Sequence, residues 1–160
     1  MTDERTAVPQ SPGRVAARLA KVVERALTDL DLSLAQYRLL GNLSDGPSQA
    51  STLAERLIVS RPSITALADG LVERGLVTRQ GADDDRRRVM HVLTGAGRTM
   101  LDDADAAIEA RLQTIAAELS EPDGRRAFKG LDVWGRALDA FRAKQVEAQT
   151  QPNGKTAVKA

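Results

Sequence analysis

Residues 53–79 read "LAERLIVSRPSITALADGLVERGLVTR", and they contain two short apolar periodicities in succession. Leu53, Ala54 and Leu57 share one helical face; Ile64, Leu67, Ala68, Leu71 and Val72 share another. The segment "IVS" (58–60) between them has room only for a connector. Ser60 suits a helix N-cap, Pro62 is tolerated in a first turn, and Gly75 supplies a stop. Two short helices joined across so few residues have the spacing of a helix-turn-helix.

Working outward, the period shortens after Gly75. "LVTRQ" (76–80) and "RVMHVLT" (88–94) both suit β-strands, and the run "DDDRRR" (83–88) connects them. A hairpin directly behind a helix-turn-helix makes a winged helix. "TGAGR" (94–98) breaks the second strand, and Thr94 is placed to cap the next helix. Upstream, Val15, Leu19, Val22, Val23, Ala26, Leu27 and Leu30 form a helical stripe over 14–30. "SLAQ" (33–36) reads as a capping box opening a second helix to about Leu43, and "SDGP" (44–47) as a turn. Downstream, Leu101, Ala104, Ile108, Leu112, Ile115 and Leu119 mark a long helix over 98–119. After "SEPDG" (120–124), Phe128, Leu131, Trp134, Leu138 and Phe141 mark a last helix to about Ala143.

The expected fold is mainly α with a small β-hairpin wing: a winged helix-turn-helix flanked by N- and C-terminal dimerisation helices. Residues 1–13 read as a disordered N-terminus, 14–32 and 98–146 as the helical dimerisation region, 33–97 as the winged helix-turn-helix, and 147–160 as a flexible tail.

Composition narrows the chemistry. The 160 residues are 42% hydrophobic and 28% charged, enough to fold around a core. With no cysteine and a single histidine, disulfides, thiolate metal sites and multi-histidine sites are excluded, and no cofactor is expected. No nucleophile beside a base and no glycine-rich phosphate loop stands out, so the chain does not read as an enzyme. "MTDERTAVPQSPG" has no signal-peptide core, and no apolar run reaches the length of a bilayer span. A cytoplasmic protein without membrane contact is expected. The net charge of +1 does not by itself imply nucleic acid; the arginines beside the wing argue more than the sum does.

In this order of elements, with "LAERLIVSRPSITALADGLVERGLVTR" and "DDRRRVMHVLT" (84–94), residues 14–143 resemble the MarR family of bacterial transcriptional regulators (multiple antibiotic resistance regulators). The strongest pieces are "RGLV" (74–77), the Asp85-x-Arg87 spacing, and Leu93-Thr94 closing the second wing strand. The resemblance implies a homodimer on a pseudo-palindromic double-stranded DNA operator. It also implies a repressor released by a small aromatic or anionic ligand.

The early residues of a recognition helix are the ones that meet base edges. Behind Ser60, the outward positions are Arg61, Pro62, Ser63, Thr65 and Ala66, then Asp69, Gly70 and Glu73. Arg61 suits bidentate pairing with guanine, Ser63 and Thr65 bases or phosphates, and Ala66 a thymine methyl. Family members often carry Arg or Lys where Ala66 and Gly70 stand, which shifts weight onto the wing. By the resemblance, Arg87 enters the minor groove, Asp85 holds its guanidinium, and Arg86 and Arg88 serve flanking phosphates. Exposed ion pairs add at most about 1 kcal/mol, so folding alone explains this cluster poorly.

Val15, Leu19 and Val22 of the first helix and Leu131, Trp134, Leu138 and Phe141 of the last are the expected dimer contacts. They would set two recognition helices about 34 Å apart, one turn of DNA. Arg18 and Tyr37 are candidate ligand residues, though both also read as ordinary surface and core residues. His91 is a further candidate, its plainer reading being a partly buried histidine bonded to backbone. The competing function is a winged-helix protein-interaction module that does not bind DNA; Ala66 and Gly70 favour it, Arg61 and Arg87 oppose it.

Overall fold

A computed structural model describes residues 11–81 and 89–150. In chain order the elements are α1 (Pro12–Thr28), α2 (Leu34–Ser44), β1 (Ser48–Gln49), α3 (Ala50–Leu57), α4 (Arg61–Glu73), β2 (Val77–Gly81), β3 (Val89–Leu93), α5 (Gly95–Ala116) and α6 (Glu121–Thr150). The chain divides into two compact units, Met1–Thr114 and Ile115–Ala160.

Capping fixes most element starts. Ser33 and Gln36 form a reciprocal box at α2: the Gln36 amide donates to Ser33 Oγ at 3.1 Å, and the Ser33 amide donates to Gln36 Oε1 at 3.0 Å. Ser60 Oγ accepts from the Ser63 amide at 3.2 Å and opens α4. Gly75, with φ of +69°, ends α4 in a conformation glycine adopts freely. Thr94 Oγ1 accepts from the Gly97 amide at 2.9 Å and opens α5.

In the first unit, Leu27 of α1, Leu39, Leu40 and Leu43 of α2, Leu53 of α3, Ile64 and Leu71 of α4 and Val77 of β2 are fully buried. Leu101, Ala104 and Ile108 of α5 complete the core. Each fully buried aliphatic side chain contributes roughly 1.5–3 kcal/mol, so this shared cluster fixes α4 against the other helices. Ile58, in the connector between α3 and α4, has φ of +56° and is 87% exposed. A β-branched residue is strained there.

The expected hairpin is present as β2 and β3, and a short third strand, β1, joins it. The sheet thus has three antiparallel strands in the order β1-β3-β2, with Ser48 paired to His91 and Arg79 also paired to His91. β1 is only two residues long, too short for alternation to show in sequence. α5 runs Gly95–Ala116, three residues earlier at each end than the stripe suggested. α6 continues to Thr150, past the expected end near Ala143 and into the segment read as a flexible tail. No proline intervenes between Pro122 and Pro152, so the backbone has no reason to stop earlier. Among the described residues, no helix is long and apolar enough to cross a membrane.

Candidate nucleic-acid interface

The burial pattern of α4 separates its two faces. Ile64, Ala68 and Leu71 are buried and Leu67 and Val72 half-buried, whereas Arg61, Pro62, Ser63, Thr65 and Ala66 are exposed. Each residue that the sequence places outward in the first turns is therefore outward. Ser60 is exposed as well, and its hydroxyl lies 2.7 Å from that of Ser63. Thr65 Oγ1 donates to the Arg61 carbonyl at 3.2 Å, which leaves its lone pairs free to accept. The N-terminus of α4 carries the positive end of the helix dipole, about half an elementary charge, and Arg61 adds a full one. An exposed, positively biased helix end with hydroxyl donors suits phosphate and base edges.

Two contacts hold this helix. At its middle, Asp69 pairs with Arg79 of β2. At its end, Arg74 donates from Nη1 to the Asp31 carbonyl at 2.5 Å and from Nη2 to the Leu30 carbonyl at 3.1 Å. Sequence reasoning missed both contacts. Arg79 was within its reach, since hairpin register and the outward position of Asp69 bring the two together. The partners of Arg74 lie 43 and 44 residues away, with no periodicity linking them.

His91 is only 4% exposed. It sits on the central strand between Ser48 and Arg79, and Arg79 Nε donates to its Nε2 at 3.5 Å. Burial lowers its pKa from the ordinary 6.5, and the Arg79 charge lowers it further; the Ser48 backbone and Asp69 push weakly the other way. The ring is thus a neutral acceptor at the base of the wing. Gly70 is not forced by packing, because an added Cβ would meet Gln36 Nε2 at 3.6 Å, an ordinary contact. β2 ends at Gly81 and β3 begins at Val89. Asp85, Arg86, Arg87 and Arg88 lie outside the described residues.

Of the expected dimer residues, Val15 is exposed and Leu19 and Val22 are half-buried on α1. On α6, Leu131 is exposed, Trp134 is 67% exposed, Leu138 60% and Phe141 59%. These four occupy steps of three or four along one helix, an apolar stripe open to solvent within a single chain.

An open cleft of about 620 Å³ lies between the C-terminal end of α1 and α5, lined by Arg25, Thr28, Asp29, Ala107, Arg111 and Thr114 among others. Arg18, Tyr37 and His91 are not part of its lining. Tyr37 instead donates its hydroxyl to Asp105 Oδ1 at 2.5 Å, and burial, then that bond, raises its pKa. Among the described residues, no group of three or more acidic, histidine or cysteine side chains could hold a metal ion.

An exposed second helix of a helix-turn-helix, packed on a three-stranded antiparallel wing, defines a winged helix-turn-helix protein. Residues 30–88 match the family model described as the MarR family. The chain is 29% identical over 123 residues to the HTH-type transcriptional repressor Rv2887 of Mycobacterium tuberculosis, covering 76% of this chain and 88% of that one. The crystal structure of Rv2887, a MarR family protein, superposes with a TM-score of 0.62 at 27% identity, over 77% of this chain and 89% of that one. YfiV, an uncharacterised HTH-type transcriptional regulator of Bacillus subtilis, is 29% identical over 111 residues, 69% of each chain. CouR from Rhodococcus jostii, crystallised with p-coumaroyl-CoA, is similar with a TM-score of 0.59 at 26% identity, over 74% of this chain and 85% of that one. Over residues 30–88 the chain thus matches the MarR family, and in sequence and fold it is similar to MarR-type transcriptional regulators.

Proposed function

We propose that this chain is a sequence-specific DNA-binding transcriptional repressor that acts as a homodimer in the cytoplasm and is released by a small organic anion. The observation that carries the reading is the exposed N-terminal face of α4, where Arg61, Ser63, Thr65 and Ala66 project together from a helix anchored on its opposite face. Arg61 reads guanine, the hydroxyls of Ser60, Ser63 and Thr65 take phosphates or base edges, and Ala66 meets a thymine methyl. Arg87, placed by Asp85, enters the minor groove, and Arg86 and Arg88 contact flanking phosphates; this wing assignment rests on the sequence. The apolar stripe Leu131, Trp134, Leu138 and Phe141, joined by Val15, Leu19 and Val22, packs against a second copy. Two α4 helices then face successive major grooves. The relatives named as repressors, and the structure of CouR with p-coumaroyl-CoA, support a ligand-released repressor.

Duplexes selected from a random pool test this. Affinity for the selected duplex should fall steeply with salt, as phosphate contacts release counterions. Arg61→Ala should relax preference at one base pair per half-site, costing about 1–3 kcal/mol there. A protein-interaction module would select no duplex; Ala66 and Gly70, which bring no charge to the face of α4, favour that second reading.

A further inference from the structure

We infer that His91 is a positioning residue for DNA reading, and an acid-sensitive one. Its neutral ring steadies Arg79 on Asp69 of α4, and a second proton on the ring drives Arg79 off and loosens the recognition helix. The inference rests on the DNA-binding reading above. His91 is the middle residue of β3, with Ser48 of β1 opposite it on one side and Arg79 of β2 on the other. One guanidinium makes both relevant contacts. Arg79 Nε donates to His91 Nε2 at 3.5 Å, and Arg79 Nη2 pairs with Asp69 on the outward side of α4.

The chemistry of the two side chains makes this arrangement conditional. A guanidinium has five donors and no acceptor, so it can face the ring only while Nε2 keeps its lone pair. The ring then carries its one proton on Nδ1. A second proton sets N–H against N–H and one cation against another, in a site where His91 is only 4% exposed. Ser48 and Gln49 of β1 bring no charge, and Arg79 is the charged residue of β2. α2 and α3 also pack on β3, and the residues they bury, Leu39, Leu40, Asn42 and Leu43 with Leu53, Ala54 and Leu57, do not titrate. The charges acting on the ring are those of Arg79 and Asp69, and burial and Arg79 hold its pKa below the ordinary 6.5. The ring is therefore neutral at neutral pH and takes its second proton only in acid. At that point Arg79 turns away from the strand and carries Asp69 with it or releases it. The C-terminal end of α4 stays tied, through Arg74, to the Asp31 and Leu30 carbonyls. Its reading end keeps the packing of Ile64 and Ala68 but loses a polar link to the wing.

A pH series on four proteins tests this: wild type, His91→Gln, Arg79→Ala and the double variant, each shown by thermal melting to be folded at every pH used. Affinity is measured for the selected duplex and for an unrelated one, at fixed salt, from pH 8 to about pH 5.5. Wild-type affinity for the selected duplex should be level above 6.5. Below the folded pKa of the ring it should fall by up to about tenfold per pH unit for each ring that titrates. Unrelated-duplex binding should not show this fall. Gln offers an amide oxygen in place of Nε2 and does not titrate, so His91→Gln should change by less than about twofold from its own pH 8 value. His91→Leu replaces it, with the same expectation, if His91→Gln does not fold. Arg79→Ala leaves the ring free to titrate with no guanidinium to displace, so it and the double variant should be equally level. A wild-type profile without the fall, a fall that persists in His91→Gln, or one shared by both duplexes overturns the inference. So does a fall in Arg79→Ala, which would assign the effect to charge in the core and not to Arg79. Failure of wild type to prefer any duplex at pH 8 overturns the DNA-binding reading instead, and the inference with it.

Discussion

Arg79 of β2 reaches Asp69 of α4 and at the same time donates to His91 of β3, so one guanidinium ties the recognition helix to two strands of the wing. The pair is about half exposed, with side-chain accessibilities of 40% and 48%, and such pairs are worth little to stability. Arg79→Ala should therefore lower unfolding free energy by no more than about 1 kcal/mol. Its larger effect should be on DNA, where misplacing α4 against the wing weakens the selected duplex more than an unrelated one. A loss shared equally by both duplexes would show that the pair contributes only charge.

His91 makes the fold sensitive to acid. Its folded pKa lies below the ordinary 6.5, so on acidification the unfolded chain takes up the proton first. Stability should be fully present above that value and decline as pH falls below it toward the folded pKa. The Arg79 charge opposes protonation of the ring, while Asp69 and the Ser48 backbone favour it. Melting temperature measured from pH 8 downward should show the decline in wild type and a shallower one in His91→Leu. Parallel profiles would remove His91 from the acid response.

Two helical glycines should respond oppositely to alanine. At Gly70 an added Cβ meets only Gln36 Nε2 at 3.6 Å, so Gly70→Ala should stabilise α4 by up to about 1 kcal/mol, the helix-propensity difference. At Gly97 an added Cβ would stand 2.0 Å from the Leu76 carbonyl oxygen and 2.7 Å from Leu93 Cδ1. Backbone cannot yield there as a flexible side chain would, so Gly97→Ala should destabilise by about 1–3 kcal/mol or more. Chemical denaturation of the two variants separates the cases.

The contrast between these glycines shows what sequence can carry. Apolar period, Ser33, Ser60, Gly75 and Thr94 locate the helices and their starts, because caps and periodicity act between neighbours in the chain. The outward face of α4 comes from the same period. What escapes is decided by distant partners. Pairing of Ser48 with His91 spans 43 positions, and a two-residue strand leaves no pattern. The burial of His91, the Asp69–Arg79 contact and the Arg74 fork depend on how α4 docks, which no local rule supplies. Tyr37 reads from sequence as a candidate ligand residue, whereas its bond to Asp105 gives the hydroxyl a partner within the fold.

The stripe on α6 should hold two copies together. Trp134 is 67% exposed in one chain, so Trp134→Ala should leave the first unit's melting nearly unchanged while weakening self-association. Truncating a central interface aromatic commonly costs 2 kcal/mol or more, roughly a thirtyfold rise in the dissociation constant. Sedimentation over a concentration series reads this directly. A dimer of unchanged strength would move the interface off this face.

The central claim is that two copies of α4 enter successive major grooves of one duplex. Its most direct measurement is a footprint of the protein on the duplex recovered from a random pool. Two related half-sites centred about 10 base pairs apart, with Arg61→Ala blurring one position in each, are the expected result. A single undivided site, or no duplex preferred over any other, would contradict it.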